Sequence, residues 1–244
     1  MVLARTYEEA MGYYLRYPEN ILGVISDCRF PKGGEKDSEA GLKLLQEIRK
    51  RDPFLPLIIE SSESENKEKA EALGLRFIDK NSKKMNIDLR NLMATHMGFG
   101  DFVFRDPKTH EEIKRIRNLK ELQDNIFSIP NDSMLYHISR NHVSRWLCAR
   151  AIFPVSEFLK TVTLEKLKDI DAHRQIIFDA IVQYRHMKNL GTVAVFRREQ
   201  FDAYSHFARI GDGSLGGKGR GLAFLDHIIK SNPEFNSFEG VKVS

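Results

Sequence analysis

The sequence predicts an α/β chain that opens on a short parallel sheet and continues into a mainly helical α+β segment. Three observations carry this. Apolar runs in the stretches 21–31 (ILGVISDCRFP), 55–63 (LPLIIESSE) and 75–82 (LRFIDKNS) have strand length and are bounded by turn formers, the pattern of strands buried on both faces. Segments with helical spacing separate them, at 38–51 (Ala40, Leu44, Leu45, Ile48) and at 65–73, which gives the strand–helix–strand order of right-handed crossovers. Each run ends in a polar residue, Asp27, Ser61 and Lys80, so all three are expected at the carboxyl edge where open α/β sheets place their chemistry.

The remaining elements follow in order. Residues 7–17 carry Ala10, Met11, Tyr14 and Leu15 at helical spacing, and Pro18 closes that helix. After Lys80 a helix at 85–96 is expected to bury Ile87, Leu89, Leu92 and Met93, and Gly98 and Gly100 mark the end of a first domain, 1–98. A second domain, 99–203, opens on a hairpin, DFVFR (101–105) with IKRIR (113–117). Asn118 and Glu121 form a capping pattern for a helix at 119–127, which Pro130 ends. A longer helix is expected at 131–149, its first residues Asn131, Asp132 and Ser133 suiting the positive end of the macrodipole. On that continuous helix His137 and His142 are about 140° apart, so their imidazoles do not share a face, and a metal pair would want a spacing of four. The pair is read as packing, with Leu135, Ile138, Trp146 and Leu147 buried, and a phosphorelay histidine as the alternative. Arg140, Arg145 and Arg150 recur at five-residue steps, read as a solvated or interface rim rather than as a phosphate clamp. A further helix at 164–189 turns Leu167, Ile170, Ile177, Ile181 and Val182 inward, Gly191 stops it, and 192–196 is β-branched and strand-like.

Composition sets bounds. The 244 residues suffice for a sizeable core, and 41% hydrophobic with 30% charged residues is ordinary for a globular chain. The net charge of +4 is too mild to point to nucleic acid. Cys28 and Cys148 lie far apart without metal-ligand spacing, so a reduced, cytoplasmic setting is expected. No apolar run approaches the length of a membrane span, so no membrane partner is expected.

Asp27 in VISD-x-x-x-P, Ser61 in LPLIIES and Lys80 in FIDK, with Phe77 three residues before the lysine, resemble the two-component receiver family, the phosphoacceptor modules of bacterial signalling. The resemblance covers 1–98 and implies a partial, flavodoxin-like parallel sheet. It gives Asp27 the phosphoacceptor position, a carboxylate nucleophile. Ser61 and Lys80 take the positions that follow the phosphoryl oxygens, and Phe77 that of the aromatic that moves with activation. The backbone carbonyl of Arg29 would join Asp27 in holding Mg²⁺. The chain departs from the family in two ways. Its opening corresponds to the end of the family's second strand, so the first strand, first helix and metal-binding acidic pair are missing, and Asn81 stands where proline usually follows the lysine. The implied metal site, Asp27 and Arg29, is incomplete.

At the far end, a strand-like 206–210 leads into GDGSLGGKGRG (211–221) and then LAFLDHIIK. Six glycines in eleven residues bring bare backbone N–H groups close to a partner, typically phosphate. A Walker A loop fails, because Asp212 and Gly219 occupy the places of its first glycine and its hydroxyl. A dinucleotide fingerprint at Gly211, Gly213 and Gly216 would leave three more glycines in the first helical turns, each costing about 1 kcal/mol. LGGKGRGLAFL (215–225) instead resembles the opening of the nucleotide-binding domain of phosphoenolpyruvate synthase and pyruvate phosphate dikinase. That resemblance places Gly216, Gly217 and Lys218 on ATP phosphates and makes 204–244 the start of an ATP-grasp-type domain, with FEGVKVS leading into its next strand.

Together the resemblances imply the N-terminal regulatory part of a phosphoenolpyruvate synthase-like, ATP-dependent phosphotransferase, with a receiver-like domain that responds to phosphorylation. ATP and Mg²⁺ are then cofactors of the parent enzyme, bound weakly or not at all by this chain, which holds no catalytic residue of its own. The rest of the parent polypeptide or a sensor kinase is the expected partner. The alternative is a free-standing response-regulator module with a helical output domain and no enzyme activity.

Overall fold

The computed structural model describes residues 1–162, 169–190, 192–198 and 207–236. The fold is mixed α/β, and the chain forms two compact units, Met1–Arg174 and Gln175–Ser244, divided inside a helix.

The first unit is built on three parallel strands, β1 (Val24–Asp27), β4 (Leu57–Ser61) and β5 (Arg76–Asp79), in the order β1-β4-β5. Helices α2 (Ala40–Arg51) and α3 (Glu65–Ala72) are the crossovers. Successive strand residues point to opposite faces, and both faces are covered. On one, Leu57 and Ile59 pack with Leu44, Leu45 and Ile48 of α2, joined by Ala10 and Met11 of α1 (Tyr7–Arg16). On the other, Ile58 and Ile78 pack with Met97 and with Leu89, Leu92 and Met93 of α4 (Met85–His96). Ile87 and Leu15, apolar residues placed at helical spacing, are exposed, at 59% and 56%, because each helix buries one stripe and these positions fall beyond its edge.

A small hairpin between β1 and α2, β2 (Phe30–Lys32) with β3 (Glu35–Asp37), has no counterpart in the sequence reading. Its turn is Gly33–Gly34, both left-handed at φ +64° and +85°, as a two-residue hairpin turn requires. The expected later hairpin is β6 (Phe102–Arg105) with β7 (Glu112–Ile116). Helix α5 (Leu119–Asn125) is capped as expected: Asn118 accepts from the Glu121 amide at 2.9 Å, and the Glu121 carboxylate accepts from the Arg117 amide at 2.8 Å.

The single helix expected at 131–149 is two helices, α6 (Asn131–Ile138) and α7 (His142–Cys148). Asn141 breaks it, at φ +55°, and asparagine is among the few residues that take that conformation at low cost. Leu135 is consequently exposed, while Ser133, Met134 and His137 face inward. Helix α8 (Phe153–Thr161) follows, with Pro154 in its first turn, where a missing N–H costs nothing. Glycines 98 and 100 do not loosen the chain here. The Gly100 carbonyl accepts from Trp146 Nε1 at 3.1 Å and from Arg150 at 2.7 Å, and the Gly98 carbonyl from Arg150 at 2.7 Å. Sheet and helices thus belong to one unit.

Helix α9 (Ile170–Asn189) carries the division between the units. In the second, β8 (Val193–Val195) and β9 (Phe207–Arg209) pair in parallel, and α10 (Gly217–Ser231) follows the glycine loop. The expected helix start at 164–168, Gly191 and the terminal FEGVKVS lie outside the described residues. No helix among the described residues is long and apolar enough to cross a membrane.

Candidate functional site

The carboxyl edge of the parallel sheet brings two of the three strand-end residues together. Asp27 closes β1; its Oδ1 accepts from the Cys28 amide at 2.7 Å and its Oδ2 from Lys80 Nζ at 2.6 Å. Lys80 directly follows β5, and its amide donates to the Ser61 carbonyl at 2.9 Å, which ties the ends of β4 and β5. The Asp27 and Lys80 side chains are 49% and 32% exposed, so the ion pair adds at most about 1 kcal/mol to stability. Its significance is positional: an ammonium already stands on the carboxylate.

Ser61 is placed differently. Its Oγ accepts from the Glu63 amide at 3.1 Å and from Asn66 Nδ2 at 3.0 Å, and it supports the buried Cys28 thiol, whose pKa burial pushes up. The parity of the sheet explains this. Asp27 is in register with Glu60, whereas Ser61 lies one step on, with Leu57 and Ile59 on the α2 face. Phe77 is half-buried against the same α2-side cluster. Glu60, which the sequence reading passed over, is therefore the carboxylate beside Asp27; burial raises its pKa, Lys80 opposes and Asp27 adds to the rise. The guanidinium of Arg29 pairs with Glu63.

Of the expected Mg²⁺ ligands, the Asp27 carboxylate already has partners within the protein. Both Asp27 oxygens are engaged, and among the described residues no group of three or more His, Cys, Asp or Glu could hold a metal ion. Mg²⁺ is held by one or two carboxylates, with water and phosphate oxygens completing its octahedron, and the one carboxylate expected here is already paired with the Lys80 ammonium.

Helix α2 presses its first turn onto the end of β1. The Gly41 amide donates to the Cys28 carbonyl at 3.0 Å, and a Cβ at position 41 would lie 1.9 Å from the Asp27 carbonyl oxygen. Only a hydrogen fits there.

The glycine loop shows the opposite environment. Gly216 is the N-cap of α10, without a side-chain cap, and Lys218 is exposed in the first turn. A Cβ at Gly211, Gly213, Gly216, Gly217 or Gly221 would meet nothing within 4 Å, so the space above this backbone is open. Arg220 Nε donates to the Leu215 carbonyl at 2.8 Å. The same helix lines a cavity of about 270 Å³, with Arg220, Phe224 and His227 facing Thr192 and Val193. The i, i+4, i+7 spacing of those three was the available sequence signal.

His137 and His142, set apart on a continuous helix, meet because the helix breaks: their Nδ1 atoms are 3.0 Å apart. His137 Nε2 accepts from the Arg105 amide at 3.0 Å. His137 therefore holds its proton on Nδ1 and donates it to His142, whose own proton sits on Nε2. Burial first, then neighbouring arginines, push the His137 pKa down to about 4; burial, then His137 and the arginines, push that of His142 to about 3. No family model, no curated protein and no solved structure matches the chain.

Proposed function

We propose that the chain is the regulatory part of a phosphoenolpyruvate synthase-like, ATP-dependent phosphotransferase. Its first unit acts as a receiver-like module and its glycine loop contributes phosphate contacts to an ATP-grasp-type site. The observation that carries the reading is the 2.6 Å contact between Asp27 and Lys80 at the carboxyl edge of a three-stranded parallel sheet. A phosphoryl group on Asp27 would add negative charge next to that ammonium, which neutralises an equatorial oxygen. Ser61 would have to leave Asn66 and the Glu63 amide to follow it, so its hydrogen bonds and the packing of Phe77 on the same face would report the change.

In the second unit the open first turn of α10 offers backbone N–H groups and the Lys218 ammonium to a polyanion, favoured by dipole and by charge. The joining of sheet and helices into one compact unit also supports the other reading, a free-standing response-regulator module whose helices are the output.

Labelling with a small acyl phosphate in the presence of Mg²⁺ tests the first unit. Incorporation is expected to be slow, because one carboxylate supplies little of the charge a divalent ion needs. It should vanish in Asp27→Asn and fall about tenfold or more in Lys80→Met. Label that survives Asp27→Asn removes the phosphoacceptor reading. The loop has its own test: Lys218→Ala should cost about 2–3 kcal/mol in ATP affinity of the whole phosphotransferase, the range for a charge-assisted contact. Unchanged affinity makes the loop a structural turn and leaves the free-standing module.

A further inference from the structure

The cavity of about 270 Å³ in the second unit is used by neither of the roles proposed above. It lies between α10 and the segment that leads from α9 into β8. Val193, Ala223 and Phe224 give it apolar walls, and Thr192, Arg220 and His227 are its polar groups. Ala223 is the one buried residue of α10, at 2% exposed, and its methyl leaves the floor of the cavity unfilled. Apolar walls with a few polar groups among them are the make-up of small-molecule sites.

The fold does not consume the polar groups. Arg220 Nε donates to the Leu215 carbonyl at 2.8 Å, which fixes one edge of the guanidinium. Its Nη1 and Nη2 have no acceptor among the described residues. The Thr192 amide donates to the Asn189 carbonyl at 3.0 Å, while its hydroxyl has no partner among the described residues. His227 places Nδ1 3.4 Å from Ser231 Oγ and leaves Nε2 without a partner among the described residues. Arg220 is the only charged residue lining the cavity, and no carboxylate lines it. Asp226, one position before His227, is committed to Lys230 at 2.7 Å. Lys218 stands two residues before Arg220, about 160° away round the helix, so the ammonium of the glycine loop faces another side.

We propose that this cavity binds the anion of a small carboxylic acid with a flat, apolar body. The two Nη groups of Arg220 form a fork that matches both carboxylate oxygens. Phe224 offers a ring for offset stacking, and Val193 and Ala223 bury the rest of the body. Thr192 and His227 orient any polar substituent. One cation balances one negative charge, whereas a phosphate or polyphosphate would bring more charge than these walls can compensate. The volume equals about nine waters at ~30 Å³ each, which suits a single ring carrying a carboxylate. The site rests on neither the phosphoacceptor reading nor the nucleotide reading.

The test is titration of the full chain with benzoate at constant ionic strength, followed by the amide shifts of Thr192, Val193 and Ala223 and the imidazole shifts of His227. Benzamide, the same shape without the charge, and inorganic phosphate are the further arms. Saturable benzoate binding that moves these resonances is expected, about tenfold or more tighter than that of benzamide, with no displacement by phosphate. Arg220→Gln should weaken benzoate about tenfold and leave benzamide unchanged, a split that loosening of the helix would not give. Ala223→Leu should fill the floor and abolish binding of both. Lys218→Ala should bind benzoate as the wild type does. The proposal falls if no saturable binding occurs, if benzamide binds as tightly as benzoate, or if phosphate displaces benzoate at equal concentration. It also falls if Arg220→Gln or Ala223→Leu keeps wild-type affinity, or if Lys218→Ala loses as much as Arg220→Gln. Should Ala223→Leu not fold, Phe224→Ala decides, at a side chain 62% exposed whose truncation costs the fold little: wild-type benzoate affinity there overturns it.

Discussion

Arg174→Met should remove about 2–6 kcal/mol of stability, the sum for two buried carbonyls left without donors. Arg174 is 2% exposed. Its Nη1 donates to the Ile126 carbonyl, and its Nη2 to the Ile129 carbonyl at 2.6 Å and to Asn131 Oδ1 at 2.7 Å. Nε lies 3.2 Å from the Asp171 carboxylate but without the alignment of a hydrogen bond. One side chain thus satisfies the carbonyls between α5 and α6 and fastens the first turn of α9 to them. Methionine fills much of the volume but leaves two buried carbonyls without donors, each costing about 1–3 kcal/mol. Urea unfolding measures the loss; a change below about 1 kcal/mol would mean that water reaches those carbonyls.

Mild acid should destabilise the first unit well before its carboxylates titrate. His137 and His142 have folded pKa values depressed to about 4 and about 3, against about 6.5 when unfolded. Above pH 6.5 both states are neutral and nothing is lost. As pH falls below that, the unfolded state binds protons that the folded state refuses, so stability declines, by up to about 1.4 kcal/mol per pH unit for each histidine. The decline ends where the native pair itself titrates, near 4 and 3. His96, also lowered to about 4 by burial and by Arg76 and Arg105, adds a smaller share because it is only half-buried. Carboxylates such as Asp37 and Glu47, whose pKa values are held down by lysine partners, contribute only below about pH 4.5, and Glu60, whose pKa burial raises, acts in the opposite sense, so a fall in stability from pH 6.5 to 5 comes from the imidazoles. Urea midpoints at pH 7.5 and pH 5 measure it. His137→Gln keeps an acceptor for the Arg105 amide and should flatten the slope; equal midpoints for the wild type would mean the pair is solvated.

What could be read from the sequence followed burial on two faces. Leu57, Ile58 and Ile59 are apolar in a row because both sides of β4 are covered, and Ala40, Leu44, Leu45 and Ile48 fix the buried stripe of α2. The meeting of Asp27 and Lys80 was legible for the same reason, since strand ends in a parallel sheet share an edge. The face taken by Ser61 was not, because it depends on the register of β4 against β1. The helix break was hidden as well: Asn141 carries a left-handed conformation without the glycine or proline that flags one. That break had the largest consequence. It brought His137 to His142, and it accompanied the burial of Arg145, which spacing along an unbroken helix assigned to the rim. The Gly33–Gly34 turn was signalled, but in a stretch too short to stand out from the approach to α2.

The contact at Gly41 bears on ancestry. With a Cβ position 1.9 Å from the Asp27 carbonyl oxygen, no side chain can be inherited there unless the helix retreats from the strand. A lineage that keeps this approach is confined to a glycine fourteen positions after the acidic residue, however freely its neighbours drift. The pairing of aspartate and distant glycine is therefore a spelling rule, by which diverged relatives could be told from chains that merely share a strand ending in a carboxylate.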